Sequence, residues 1–283
     1  MTRVHFPRIG SLLIDDRGFI RLENRPLALP IPDLENDEVP LDITRSQTYY
    51  TVDAYVDALL SCHDSRLQYP LNAVNGHGDC VSQMCAMVLM RALRHKFFQA
   101  KLNHGPFTPV HTDLHASNIL VDDHWNVTCF IDLEWTAVLP LEFIQPPHWL
   151  TAKAVDEIDV DEYNKVREDF MEIFEGEERR VGRQNDNVRC SAIMNATWKL
   201  GTFWYVLALQ SPTGLHSLLY DRIQSRFHEM DESKTEFYIS IYPFWTENAN
   251  DFIRKKVRDK AVYDKKLWEV FNPDQNCSLE QAA

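Results

Sequence analysis

The spacing of apolar residues along most of the chain is typical of amphipathic helices. The first such stretch is capped by Thr51 and has five apolar residues at helical spacing: Val52, Tyr55, Val56, Leu59 and Leu60. Longer periodic stretches predict helices over 79–101 and 161–178. Further periodic stretches predict helices over 189–210, 214–227, 246–261 and 264–271. The pattern therefore predicts a mainly helical protein.

Short apolar runs separated by polar links predict two β-hairpins. The first joins 11–14 to 19–22, and the second joins 118–121 to 129–133 through the polar residues 122–126. By contrast, 30–40 is acidic and contains three prolines, which predicts a loop. The predicted elements are mostly helices with few strands. We therefore expect a fold of the α+β class, with a helical body and a small sheet.

Composition narrows the possible partners and locations. The 283 residues are 45% hydrophobic, which is enough for a real core, and the formal net charge is −13. That charge argues against nucleic acid or an anionic membrane as the main partner. No apolar run is long enough for a transmembrane helix, and the N-terminal stretch has no secretory pattern, so we predict a cytoplasmic protein. The six cysteines form no CxxC pair and are expected to be reduced and mostly buried.

Candidate chemistry is concentrated around Asp113. Asn118 follows this aspartate by five positions and opens a short strand, a pattern typical of phosphoryl-transfer sites. Such an aspartate acts as a base at an acceptor hydroxyl, and the amide oxygen binds magnesium. A second aspartate, Asp132, lies near the end of the next predicted strand. The second hairpin would therefore place Asn118 and Asp132 side by side.

The same stretch allows a different interpretation. His111, Asp113 and His115 alternate, so on a strand their side chains would share one face and could bind a transition metal. That would indicate a metal-dependent hydrolase. This hypothesis explains neither Asn118 nor Asp132, and no further His or Cys lies nearby at ligand spacing.

The motifs HxDxxxxN at 111–118 and IDxE at 131–134 resemble the C-terminal lobe of the aminoglycoside phosphotransferase-like family. These choline-kinase-like proteins are relatives of the protein kinases. The similarity is strongest to members from filamentous fungi, and four further segments share it: 6–12, 24–27, 105–107 and 139–150. It covers most of 5–180. The resemblance implies a protein-kinase-like fold in which a mainly helical C-lobe carries a small catalytic β-hairpin.

The resemblance also implies roles for individual residues. Asp113 corresponds to the catalytic base and His111 to the histidine that braces the catalytic loop. Asn118 and Asp132 correspond to the magnesium ligands, and Leu120 to the apolar floor under the adenine. The implied cofactors are ATP and Mg²⁺, and the implied partners are a nucleotide and a small hydroxyl-bearing acceptor. The family does not fix which acceptor is used.

The chain also departs from the family pattern. Complete members carry a glycine-rich loop, a phosphate-binding lysine and a helix glutamate before the hinge, and none is visible here. We expect 1–27 to be a residual N-lobe hairpin and hinge, 28–272 a kinase-like helical C-lobe, and 273–283 a frayed tail. The hairpin edges would be bare and favour a protein partner or self-association. Two further hypotheses follow: a catalytically inactive pseudokinase that acts as a binding or scaffold module, and an incomplete gene product.

Three other features have simpler structural interpretations. Glu134 is expected to be a structural anchor and Trp135 a core residue. The acidic run 156–162 lacks the spacing of a calcium loop and predicts a solvated helix start. Four aromatic residues are expected in the core rather than in an acceptor pocket: Trp198, Phe203, Trp204 and Tyr205.

Overall fold

The computed structural model describes residues 4–28, 30–181, 189–227 and 234–272. Its strands are β1 (Gly10–Ile14), β2 (Ile20–Asn24), β3 (Phe107–His111), β4 (Ile119–Val121), β5 (Val127–Phe130) and β6 (Thr136–Pro140). Its α-helices are α1 (Pro30–Asn36), α2 (Val52–Gln68), α3 (His77–Phe97), α4 (Val160–Val181), α5 (Cys190–Leu200), α6 (Thr202–Gln210), α7 (Leu215–Leu218), α8 (Lys234–Ile241) and α9 (Ala249–Phe271). The mixture of helix and small antiparallel sheets confirms the α+β class.

Four strands form an antiparallel sheet in the order β2-β1-β6-β3. The N-terminal hairpin was expected to pair only with itself, and that expectation was wrong, because Gly10 pairs with Val138 and Ser11 with Ala137 of β6. Close packing against β2 requires the glycine at position 10, since a Cβ there would lie 2.8 Å from the Asn24 carbonyl oxygen. The hairpin therefore shares a sheet with the strand that leads into the candidate loop.

Strands β4 and β5 form a separate two-stranded hairpin, as predicted. Asp122 closes its turn, because Oδ1 accepts hydrogen bonds from the backbone N–H groups of His124 and Asn126. The first strand begins one residue later than expected, and the second ends at Phe130 instead of Leu133. The chain leaves the hairpin at Asp132, which adopts a left-handed conformation with φ 58°.

The main core lies between β3, β6 and the helices α2, α3 and α6. Thr51 caps α2 as predicted, since its side chain accepts a hydrogen bond from the Ala54 N–H. The predicted helix 189–210 is broken at Gly201, which has φ +80° and whose N–H is bonded to the Trp198 carbonyl oxygen. Phe203, Trp204 and Tyr205 in α6 are buried and Trp198 packs beside them, as expected.

Helix α1 contradicts the predicted loop at 30–40. Pro30 occupies the first helical position, where no backbone N–H is needed. Ile31 and Leu34 are buried in a small apolar cluster with Val39, Ile43 and Cys62. The tertiary burial of these two side chains outweighs the proline and acidic content of the segment.

The remaining elements differ from prediction mainly at their ends. Helix α9 is continuous where two helices were expected, and a π-turn and a 3-10 turn follow α7. Asp159 accepts a hydrogen bond from the Glu162 N–H, which caps the start of α4 in the acidic run. The run 175–187, whose many charged residues predict exposure to solvent, lies partly outside the described residues. The predicted tail 273–283 lies wholly outside them. No helix in the described ranges is both long and apolar enough to cross a membrane.

Four of the five cysteines in the described ranges are buried, and Cys62, Cys80, Cys85 and Cys129 form no disulfide. Burial raises the pKa of Cys62 to about 12 and the pKa values of Cys80 and Cys85 to about 11. These three thiols are therefore protonated and unreactive at neutral pH. Cys277 lies outside the described residues.

Glu142 is a buried carboxyl group directly after β6. Its Oε1 accepts a hydrogen bond of 2.9 Å from the Gln99 N–H, whereas Oε2 has no partner among the described residues. Burial raises the pKa of Glu142 to about 7, against the opposing effects of the Gln99 hydrogen bond and the Lys101 charge. The folded state therefore disfavours ionisation of this group.

We predict that Glu142 makes the protein less stable as the pH rises. The protonated, buried carboxyl group contributes fully to the stability of the folded state below the ordinary pKa of 4.5. This contribution is lost as the pH rises through about 7, where the group ionises in the folded protein. Relative to the wild type, Glu142→Gln should gain about 3 kcal/mol in the free energy of unfolding between pH 4.5 and 8. Urea unfolding at several pH values measures this, with exposed Glu172→Gln as the control. Parallel pH profiles for wild type and Glu142→Gln would contradict the prediction.

Candidate active site

The loop after β3 is attached to two other parts of the chain through Thr112. Its N–H donates to the Trp135 carbonyl oxygen at 2.8 Å. Its hydroxyl lies 2.9 Å from the Leu27 carbonyl oxygen and 2.7 Å from that of Trp135, so the hydroxyl hydrogen is shared. The Leu27 N–H in turn donates to Ser11 Oγ of β1 at 2.8 Å. The N-terminal hairpin and the loop are therefore directly coupled.

His111 joins the loop to the segment that precedes Asp132. The Asp113 N–H donates to Nδ1 of the ring at 3.2 Å. Nε2 therefore carries the hydrogen and donates to the Ile131 carbonyl oxygen, 3.3 Å away. One imidazole thus links both halves of the site through the backbone, which is the geometry that a bracing role requires.

Asp113 and Asn118 are held together by the amide of the asparagine. Asn118 is buried, and its Nδ2 donates to the Asp113 carbonyl oxygen and to Asp113 Oδ2, each at 2.9 Å. Because the amide nitrogen is used in this way, the amide oxygen is left to bind another group. The carboxylate of Asp113 likewise keeps Oδ1 for a second partner.

Asp132 lies next to this pair. The Ile131 N–H donates to the Asn118 carbonyl oxygen at 3.1 Å, which extends the β4–β5 ladder by one residue. Asp132 follows directly, and its carboxylate is exposed and has no hydrogen bond or ion pair to any described residue. The left-handed backbone is uncommon for a residue other than glycine and marks a position where local strain is often functional.

A further anchor of the loop comes from Trp149, to which we assigned no role from the sequence. Its indole Nε1–H donates to the Leu114 carbonyl oxygen at 2.7 Å. The neighbouring His148 is largely buried, and burial together with the charge of His115 lowers its pKa. The only signal in the sequence was that Trp149 belongs to a segment that resembles the phosphotransferase-like family.

Apolar side chains around the site are exposed. Leu120, expected under the adenine, is 45% exposed, and four neighbours in sequence are also exposed: Leu114, Phe130, Ile131 and Leu133. Trp135 is only half-buried, although it was expected in the core. Glu134, expected to be an anchor, is exposed and contacts no described residue through a hydrogen bond or ion pair.

The geometry does not support the alternative of a transition-metal site. Strand β3 ends at His111, so His111, Asp113 and His115 do not share a strand face. Both ring nitrogens of His111 are bonded to the backbone, and Nδ1 of His115 accepts a hydrogen bond from Ser117. Across the described ranges, no three His, Cys, Asp or Glu side chains converge on a point that could hold a metal ion. The premise of the hydrolase hypothesis is therefore wrong.

The loop, the β4–β5 hairpin and the strands that flank them fall within one segment that matches a family model. Residues 53–141 match the model of the phosphotransferase enzyme family. This match runs from α2 to the end of β6 and includes His111, Asp113, Asn118 and Asp132, so it confirms the resemblance found in the sequence. It covers less than half of the chain, and the fungal subtype and the assignment of lobes stay predictions. The chain matches no curated protein and no solved structure.

We predict that Trp149 keeps the loop ordered. Trp149→Phe preserves the aromatic ring and removes the indole N–H, so the Leu114 carbonyl loses its partner. Amide hydrogens in 112–118 should then exchange roughly tenfold faster, which corresponds to one lost hydrogen bond. Exchange mass spectrometry measures this, with exposed Trp268→Phe of α9 as the matched control. Unchanged exchange in Trp149→Phe, or an equal change in the control, would contradict the anchoring role.

Proposed function

We propose that this protein transfers a phosphoryl group from ATP, with Mg²⁺, to a hydroxyl group of a small molecule. The observation that carries the proposal is the joint position of three residues. The amide of Asn118 holds the Asp113 carboxylate, and the backbone of Asn118 pairs with the residue directly before Asp132. The family match over 53–141 supports the same reaction class.

The residues present fit a magnesium ion. Magnesium prefers oxygen ligands and is commonly held by one or two carboxylates together with substrate phosphates and water. Asn118 offers its amide oxygen and Asp132 an exposed carboxylate, which is enough for such a site without a third protein ligand. When bound, the ion would neutralise charge on the phosphates and orient them.

In this mechanism, side chains of the protein position the acceptor and take up the proton of its hydroxyl group. Asp113 would accept the proton of the acceptor hydroxyl at Oδ1, while the hydrogen bond from Asn118 to Oδ2 fixes the direction of the carboxylate. His111 holds the backbone of Asp113 against the segment before Asp132. These contacts preorganise the loop, which is how phosphotransferases achieve most of their rate enhancement.

Local charge makes the cation essential to this proposal. The loop 111–118 and the segment 130–135 contain Asp113, Asp132 and Glu134 but no lysine or arginine. Nucleotide phosphates would therefore meet a negative surface unless a divalent ion lies between them. We accordingly propose weak nucleotide binding that depends strongly on magnesium.

A second candidate function is a binding module without catalysis. The exposed apolar residues beside the loop, together with exposed Ile14, Phe19 and Ile20 of the N-terminal hairpin, favour a protein partner or a second copy of the chain. In a protein of this kind Asp113 could be replaced without loss of function. Substitution of Asp113 therefore separates the two candidates.

We predict that ATP binding needs both magnesium and Asp132. Asp132→Ala removes one proposed ligand of the ion, so the magnesium-dependent part of the binding heat should be lost. Calorimetry with and without magnesium measures this. Asp123→Ala, in the exposed turn of the same hairpin, changes the charge equally and should bind as the wild type does. Equal heats with and without magnesium, or unaltered binding by Asp132→Ala, would refute the ligand assignment.

We also predict that Asp113→Ala lowers phosphoryl transfer by roughly 10²- to 10⁴-fold, the usual contribution of a positioned general base. The rate is measured as ATP turnover with a panel of hydroxyl compounds. The variant should fold normally, because the Asp113 side chain is only partly buried. If Asp113→Ala melts like the wild type and keeps full turnover, the proposed mechanism is wrong. If the wild type has no turnover but binds a partner through this face, the binding module is the better interpretation.

A further inference from the structure

A separate cavity of about 280 Å³ lies between α2, α3 and the turn before α7. Its polar lining comes mainly from His63, Arg66, Asp79, Gln83, Thr213 and His216. Leu67 and Met87 add apolar groups to this mainly polar lining. A concave site with convergent polar groups is a candidate small-molecule site.

This cavity is distinct from the candidate active site. None of its lining residues belongs to the loop 111–118 or to the segment 130–135. From Met87 at the cavity, α3 continues for ten residues, about 15 Å, to its end at Phe97, and β3 begins only at Phe107. The cavity and the loop 111–118 are thus formed by different residues.

Arg66 is the residue that indicates a ligand. Its guanidinium is half-buried and makes no hydrogen bond or ion pair with any described residue. Arg25, Arg91 and Arg94, in contrast, each pair with a carboxylate. A partly desolvated cation without a direct partner is costly: burial lowers the pKa of Arg66, and the charge of Asp79 offsets this effect only in part. An anionic group that enters the cavity would supply the missing partner, most favourably a planar carboxylate that accepts two hydrogen bonds.

The opposite side of the cavity offers hydrogen-bond acceptors. The carboxylate of Asp79 accepts bonds from the Asn75 N–H and from Gln83 Nε2 without forming an ion pair with Arg66. His63 donates from Nε2 to the Leu209 carbonyl oxygen at 2.9 Å, which leaves Nδ1 as an acceptor. Burial, together with the charges of Arg66 and Arg91, lowers the pKa of His63 to about 4 against the opposing effect of the Leu209 hydrogen bond, so the ring is neutral at pH 7. The Asp79 charge disfavours a doubly charged anion such as phosphate.

From these contacts we infer that the cavity binds a small monocarboxylate that also carries a hydroxyl or ammonium group. The carboxylate pairs with Arg66, and the hydroxyl or ammonium hydrogens are donated towards Asp79 and His63. This site is independent of the proposed phosphoryl transfer. The helical part of the protein would then have a ligand site separate from the candidate active site.

The test uses the full chain and four probes at matched ionic strength and pH 7.5: acetate, glycolate, glycine and inorganic phosphate. Amide chemical shifts of ¹⁵N-labelled protein report binding. Glycolate or glycine should bind the wild type more tightly than acetate or phosphate does. Arg66→Gln should weaken that binding about tenfold or more, the value of a lost charge-assisted pair. Arg258→Gln, an exposed arginine of α9, should bind as the wild type does.

The design keeps folding separate from binding. Without ligand, Arg66→Gln should melt no lower than the wild type, because it removes a half-buried unpaired charge. If it does not fold, Arg66→Lys keeps the charge but loses the planar fork, and it should bind more weakly than the wild type. The inference is overturned if none of the four probes binds the wild type at 20 mM. A dissociation constant of that size corresponds to a binding free energy of roughly 2 kcal/mol at the 1 M standard state. It is also overturned if the Arg66 variants bind normally, if phosphate binds best, or if acetate binds as tightly as both glycolate and glycine.

Discussion

The antiparallel pairing of β3 with β6 is the constraint on which the candidate site depends. His111, the last residue of β3, is paired with Thr136, the first residue of β6. The segment 112–135 therefore leaves the sheet and returns to it at the same place, and the bond from the Thr112 N–H to the Trp135 carbonyl oxygen fixes both ends. Within so short a closed segment, the β4–β5 hairpin has to bring its two ends together. Asn118 and Asp132 become neighbours for that reason.

Different forces hold the scaffold and the site. Ala137, Val138 and Leu139 of β6 are buried against the helical core, so the sheet is held mainly by the hydrophobic effect. The loop is held by hydrogen bonds to backbone carbonyl groups from Thr112, His111 and Trp149. Its carboxylates stay in contact with water. Burying them unpaired would cost far more than one hydrogen bond contributes, so a hydrated site is the stable arrangement.

The sequence was most informative where interactions are local. The cap and the apolar face of α2, the turn at Asp122 and the meeting of Asn118 with the end of β5 depend on residues close together in the chain. The errors have long-range causes. Helix α1 forms because Ile31 and Leu34 find an apolar cluster that includes Cys62 of α2. Trp149 was assigned no role because its partner, Leu114, lies in a loop far along the chain.

The sequence by itself determined which residues carry the proposed chemistry, since HxDxxxxN and IDxE place a carboxylate, an amide and a second carboxylate at a spacing that a hairpin can close. It also determined the helical body, because apolar periodicity follows directly from helix geometry. Only the tertiary structure decided that the N-terminal hairpin joins β6, that Trp149 anchors the loop, and that Arg66 faces a cavity without a partner. Each of these depends on contacts between elements that are far apart in the sequence. Strand pairing and burial between such elements are set by the packing of the whole core, and no local sequence pattern reports them.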